Sequence, residues 1–399
     1  MISNRQLFLN HLAPTSPAPM ILEIEAAQGC FMIDVNGKKY IDFISGIAVS
    51  GVGHRHPKIV DAIKRQTDKY LHLMVYGEYV QSPQVAYAHV LAQHLPPNLQ
   101  SCYFVNSGSE AIEGALKLAK RVTGRSQIIA FNGAYHGSTH GALSLMSDTY
   151  FTSAFRPLLP DITFIDWNNL NQLKLITSKT ACVVTEVVRA ESGAITPQKG
   201  FLQALQAQCN AVGALLICDE IQTGFGRTGP LFGFMDYNIQ PDIICLGKGM
   251  AGGMPLGAFI ASNERMNCLS HNPVLGHITT FGGHPVSCAA AIANLEVIKS
   301  LDTEKTIPEK EKIIRTHLKH KAIQSISGKG LMLAVSFKDE TFNKSVIKYC
   351  IENGVVVDWF LFADNKLRIA PPLIIENDLL EKACFTILDG IEYTYRKLN

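Results

Sequence analysis

The chain has 399 residues, 47% of them hydrophobic and 18% charged, and a formal net charge of +2. Its length exceeds what one apolar core usually serves, so two lobes are expected, and its composition excludes a disordered chain. Near-neutral charge with no basic, aromatic-interleaved block argues against a nucleic-acid partner, and no uncharged apolar run is long enough to span a bilayer.

The N-terminus lacks the apolar core of a signal peptide. Ten cysteines are scattered without a Cys-x-x-Cys pair, and Cys182, Cys218 and Cys245 fall inside expected strands. They read as small buried hydrophobes of a reducing compartment, so the expected location is cytoplasmic. His54, His56, His136 and His284 have no ligand spacing with carboxylates or thiols, so no metal site is expected.

In chain order, Asn36-Gly37 marks a turn, and residues 36–48 read as that turn and a strand before a helix near 57–70. From 100 to 262, short β-rich runs alternate with helical periodicity. The expected strands are 102–105, 127–131, 181–185, 214–218, 243–246 and 257–261. Their continuous apolar character predicts a mostly parallel sheet covered on both faces. The stretch 109–123 carries Ala111, Ile112, Ala115, Leu116, Ala119 and Val122 as one helical stripe. Beyond 297 the texture changes: a charged helix over 303–320, strands at 330–337 and 354–357, and a closing helix near 377–396. These form a smaller lobe, joined by the N-terminal residues.

Four strand ends carry chemistry. Asn106-Ser-Gly-Ser-Glu110 follows one strand and opens a helix, where free N–H groups attract an anion; the competing reading is helix capping by Ser109. After the next strand, Phe131-Asn-Gly-Ala-Tyr-His-Gly137 offers Tyr135 or His136 to stack on a planar ligand, or simply to pack. The run 214–218 delivers Asp219-Glu220. A buried acid of this kind keeps a proton on a pyridine nitrogen, although a strand-ending acid pair also suits magnesium. No phosphate loop of the Gly-x-x-x-x-Gly-Lys type accompanies it. The run 241–246 then delivers Lys248 into a glycine-rich loop. A desolvated lysine loses its proton more readily and becomes a nucleophilic amine. Acid and amine on two strand ends point to one cofactor between them.

With these residues in view, the whole chain resembles the class III, fold type I, pyridoxal-phosphate-dependent aminotransferases. Seven landmarks occur in family order: Gly53-His-Arg-His-Pro57, Asn106-Ser-Gly-Ser-Glu110, Tyr135-His-Gly137, Asp219 through Gly229, Pro241 through Gly249, Thr280-Phe-Gly-Gly283, and Arg368-Ile-Ala-Pro-Pro372. The resemblance implies an α/β fold: a large domain with a mostly parallel seven-stranded sheet flanked by helices, and a smaller α+β domain from both termini. The corresponding divisions are 1–52, 53–296 and 297–399. It implies pyridoxal 5'-phosphate as cofactor, with Lys248 as the Schiff-base lysine and Asp219 at the pyridine nitrogen. Gln222 would approach the phenolic oxygen, Ser107, Gly108 and Ser109 would bind the phosphate, Tyr135 would stack on the ring, and His136 and Glu186 would complete the surroundings. Thr280 would reach the phosphate from the partner subunit of a homodimer.

For the substrate, Glu191 and Arg368 match a family pair in which the arginine grips a carboxylate and the glutamate covers it for the other substrate; a static interlobe salt bridge is the alternative. The small-molecule partners implied are an amino donor of the acetylornithine, ornithine or ω-amino-acid type and a keto acid, 2-oxoglutarate. Ser138 stands where such subfamilies carry an arginine, and Arg189 where glutamine is usual. Either Arg189 supplies the missing charge or the donor lacks a distal carboxylate, as a diamine does. His284 replaces the usual asparagine beside Thr280. An aminomutase or racemase of the same fold would show no net transfer to a keto acid, and a nucleotide-binding module would bind no such cofactor.

Overall fold

In the computed structural model, residues 3–75 and 77–398 are described. The strands of the large sheet are β1 (Ser101–Val105), β2 (Gln127–Phe131), β3 (Ile162–Ile165), β4 (Thr180–Glu186), β5 (Leu215–Asp219), β6 (Ile243–Leu246) and β7 (Gly257–Ala261). Their spatial order is β1-β7-β6-β5-β4-β2-β3. β7 runs antiparallel to both neighbours and the remaining pairs are parallel.

Every residue of β4 to β7 is buried, and alternate side chains enter two apolar clusters. Val183, Leu216, Ile244 and Ile260 pack on one face, and Val184, Ile217, Ile243 and Phe259 on the other. Burial on both faces removes the polar alternation of a half-exposed strand, which is why these runs read as continuously apolar. The Gly108–Thr123 helix covers the second face with Ile112, Ala115 and Leu116. Each buried Leu or Ile there stabilises by about 1.5–3 kcal/mol. A Cβ on Gly114 would strike the Phe259 ring, so the helix lies on the sheet only because that position is bare.

The C-terminal residues build a second sheet of Ser325–Lys329, Met332–Ser336, Ala363–Ile369 and Asp358–Phe360, all antiparallel. The Thr303–His317, Glu340–Glu352 and Asn377–Leu398 helices contribute to its core. N-terminal strands Ile24–Gln28, Phe31–Asp34 and Lys39–Asp42 form a further sheet in that order, completed by Val355–Val356 beside Lys39–Asp42, and Cys30, Ile41 and Phe43 enter the same core.

Several expectations need correction. β3 lies outside the expected strands; it is an edge strand of four residues, half-buried along most of its length. The stretch 36–48 contains a strand only over Lys39–Asp42, because the Asp42 carboxylate accepts from the backbone of Ile44 and Ser45 and turns the chain. The strand expected over 330–337 is shorter, Met332–Ser336, since Gly330 (φ +62°) belongs to the hairpin turn. Among the described residues, no helix is long and apolar enough to cross a membrane.

Candidate active site

Parallel strands leave their ligands at the carboxyl edge, and here that edge is acidic. Glu186 ends β4 and lies in register with Asp219 at the end of β5, which is in register with Cys245 on β6. Gly247 and Lys248 follow directly after β6. A cavity of about 160 Å³ opens over this edge, lined among others by Ser107, Ser109, Tyr135, His136, Asp219 and Lys248. The acid and the amine expected to share a cofactor therefore leave adjacent strands and line one cavity.

Lys248 carries a left-handed backbone (φ 43°), a conformation that costs a non-glycine residue about 1–3 kcal/mol. Burial depresses its pKa to about 8, while Glu191, Asp219 and Glu186 pull upward and Arg368 pushes further down. At neutral pH a useful fraction of the amine is therefore unprotonated.

Asp219 is fixed twice: Oδ1 accepts from the Ile221 amide at 3.0 Å, and Oδ2 lies 2.7 Å from Nδ1 of His136. Burial disfavours the charged imidazole, but the hydrogen bond and charge of Asp219 outweigh it and raise the His136 pKa. The other ring nitrogen of His136 is buried without a protein partner. Sequence reasoning offered His136 for stacking; the ring instead holds the acid. Tyr135 keeps the aromatic position, with its hydroxyl 3.1 Å from the Ser138 hydroxyl. Glu186 accepts from the Ala190 amide at 2.7 Å, and burial raises its pKa to about 7.

The helix cap differs by two residues from expectation. Ser107, not Ser109, is the cap: its extended backbone lets its hydroxyl accept from the Glu110 amide at 3.2 Å. Capping and anion binding are thus compatible, because the first-turn N–H groups of Gly108 and Ser109 and the Ser109 hydroxyl still face the cavity region. Gly137 (φ +134°) permits this closeness, since a Cβ there would collide with the Ser109 hydroxyl.

At the other end, Arg368 is buried between two carboxylates. Its Nη1 and Nη2 donate to Oε1 and Oε2 of Glu191 at 3.0 and 2.8 Å, and its Nε donates to Asp358 at 3.0 Å. Gln222 bridges toward the same pair, 3.4 Å from Glu191 and 3.5 Å from Arg368. Burial works to raise Glu191, but the charge and hydrogen bonds of Arg368 hold it below the ordinary carboxylate range. For Asp358 burial prevails over Arg368 and raises the pKa to about 6. Asp358 was not foreseen, because nothing local in Val356-Val-Asp358 signals a partner ten residues away across a hairpin.

Arg189 is not brought to the cavity. Its guanidinium donates to the Asn132 carbonyl and to the Ser192 hydroxyl, and stacks over Trp167. Thr280 is exposed and does not line the cavity of its own chain; its carbonyl lies 2.8 Å from Nε2 of His72. His284 caps the Pro285–Ser300 helix, its Nδ1 accepting from the Val286 amide at 3.3 Å.

These residues fit the cofactor that the resemblance implies. A helix N-terminus with free N–H groups suits a phosphate, an anchored carboxylate suits a pyridine nitrogen, and a half-buried aromatic and an amine of lowered pKa line the same cavity.

Comparison with known proteins agrees with this geometry. The family model described as aminotransferase class-III matches residues 13–391. An acetylornithine aminotransferase of Methanopyrus kandleri is 36% identical over 367 residues, covering 91% of this chain and 92% of that protein. The acetylornithine aminotransferase of Methanocaldococcus jannaschii is 36% identical over 394 residues, covering 96% and 95%. Among solved structures, an ornithine aminotransferase of Toxoplasma gondii with partial occupancy of PLP at its active site superposes with a TM-score of 0.89. It is 27% identical and covers 98% of this chain and 94% of its own.

Proposed function

The chain belongs to the class-III aminotransferases, and on that premise we propose that it transfers an amino group from a primary amine or ω-amino acid to 2-oxoglutarate. The enzyme is a pyridoxal-phosphate-dependent aminotransferase with a fold type I α/β architecture. The observation that carries the site assignment is the delivery of Asp219 and Lys248 from adjacent strands into one cavity.

When bound, pyridoxal phosphate supplies an aldehyde that condenses with amines and a ring that accepts the electron pair released at the substrate's Cα. The chain's own residues do the rest. Gly108 and Ser109 at the helix N-terminus, with Ser107, anchor the phosphate. Asp219, held by His136 and the Ile221 amide, keeps a proton at the pyridine nitrogen. Lys248 would carry the proton between the substrate's Cα and the cofactor's C4′, a task suited to an amine whose pKa lies near 8. Tyr135 covers the ring, His136 and Glu186 enclose its other edges, and Gln222 reaches its phenolic oxygen. Glu191 covers Arg368 for one substrate and yields to a carboxylate for the other.

The homodimer remains part of this proposal, with Thr280 completing the partner's phosphate site. Its support is an exposed apolar surface flanking that residue: Leu71, Ile278 and Phe281 are each at least half exposed, and His72 beside Leu71 bonds the Thr280 carbonyl. A large unit of 53–296 and a small unit of 297–399 joined by 1–52 are proposed as the working units, supported by two apolar cores, the second shared by residues of both termini. A cytoplasmic location is supported by ten unpaired cysteines.

A second reading of the donor has its own observation. Ser138 brings no charge to the mouth of the cavity, and Arg189 is committed to Asn132 and Ser192. A donor without a distal carboxylate, such as a diamine, fits that corner better than acetylornithine does. Half-reactions of the holoenzyme with acetylornithine, ornithine, 4-aminobutyrate and putrescine, followed by cofactor absorbance, separate the readings. Conversion by none of these donors, with no transfer to 2-oxoglutarate, would overturn the aminotransferase assignment to this substrate class.

A further inference from the structure

We propose that Asp358 is a positioning residue that keeps the Arg368 guanidinium in place while Glu191 leaves it, which rests on the reading of Glu191 and Arg368 given above. The two partners of Arg368 come from different parts of the molecule. Glu191 belongs to the loop after β4, in the large lobe. Asp358 lies directly opposite Arg368 in the register of the Asp358–Phe360 and Ala363–Ile369 strands, in the small lobe.

The hairpin holds the guanidinium by three features that do not involve Glu191. Asp358 accepts from Nε at 3.0 Å, the Trp359 carbonyl accepts from Nη2 at 3.0 Å, and the Phe360 ring lies 4.3 Å below the guanidinium carbon. Glu191 binds the opposite, forked edge, formed by Nη1 and Nη2. That edge is also the one that presents two parallel donors to a carboxylate. The division is functional: one edge is anchored permanently, the other is free to exchange partners.

Charge points the same way. A buried guanidinium abandoned by its only carboxylate is strongly destabilised. With Asp358 in place, departure of Glu191 leaves a paired, neutral couple. Nothing in a purely static Glu191–Arg368 bridge calls for this second carboxylate, whose burial raises its own pKa to about 6.

The test uses the holoenzyme and two variants. Asp358→Asn keeps an oxygen that accepts from Nε but loses the charge; Asp358→Ala loses both. Calorimetric Kd for 2-oxoglutarate and steady-state constants are measured for each, with thermal melts as a folding control. Asp358→Ala should raise Kd and KM for 2-oxoglutarate about tenfold or more with kcat within about threefold, the scale of one charged hydrogen bond. KM for a donor lacking a carboxylate at that end should not move, and Asp358→Asn should recover most of the loss. Unchanged 2-oxoglutarate binding in Asp358→Ala would overturn the inference. So would a uniform fall in kcat and melting temperature that the Asn variant does not relieve. If the wild-type holoenzyme itself fails to bind 2-oxoglutarate, the acceptor assignment falls and this inference with it.

Discussion

The two ends of the cavity are built on different principles. At the cofactor end, Asp219 and Lys248 are placed by the backbone: each follows a fully buried strand, and the strands are neighbours in register. At the substrate end, Glu191 and Arg368 come from separate lobes and meet through their side chains, with the Leu361 and Phe362 amides of the small-lobe hairpin also donating to Glu191. The first arrangement is rigid because moving either group means moving the sheet. The second can open, since exchanging one carboxylate for another disturbs no strand. An enzyme that must hold one cofactor but admit two substrates in turn needs both kinds of construction.

Substitutions sharpen that contrast. The largest effect is expected from Lys248→Ala, which should lower turnover by on the order of 10⁴-fold or more, as removal of a reacting side chain does. Its melting temperature should hardly change, because the amine is desolvated rather than packed for stability.

At the other end, Arg368→Ala should act on the fold as well as on the substrate, leaving Glu191 and Asp358 buried without their cation. The expected loss of stability at neutral pH is about 3–5 kcal/mol. The sign of its pH dependence follows from the carboxylates. Without Arg368, burial leaves their folded-state pKa values above those of the unfolded chain, so the penalty is small at low pH and grows as pH rises above the ordinary carboxylate range. Melts at pH 5 and pH 8 check this, and a pH-independent loss would show that packing, not charge, dominates.

A subtler test reads the amine directly. In protein stripped of cofactor, acylation of Lys248 should rise with pH through a midpoint of about 8, well below that of exposed lysines. A midpoint above 10 would mean that burial does not poise this amine. The smallest catalytic effect is expected from Arg189→Gln. It should destabilise by about 1.5–3 kcal/mol through lost charged hydrogen bonds to Asn132 and Ser192, yet leave each substrate's KM within about twofold.

The contrast also explains what was legible before the structure. Asp219 and Lys248 announce themselves because a charge after an uninterrupted apolar run is rare and costly. Six of the seven sheet strands carry longer apolar runs, whereas the four residues of β3, Ile162–Ile165, are broken by a threonine. The cap at Ser107 was missed by two residues because Ser107 and Ser109 have the same chemistry, and only backbone angles separate them. Asp358 and the true contacts of Arg189 were illegible, since hairpin register and loop packing decide them, not residue type.

Asp219 and Lys248 must face one cofactor for this site to work. Borohydride reduction of the holoenzyme, followed by digestion and mass spectrometry, tests this directly. A cofactor-sized adduct is expected on the peptide containing Lys248 and on no other lysine. An adduct at a different lysine, or a Lys248 peptide left unmodified while cofactor is bound, would contradict it.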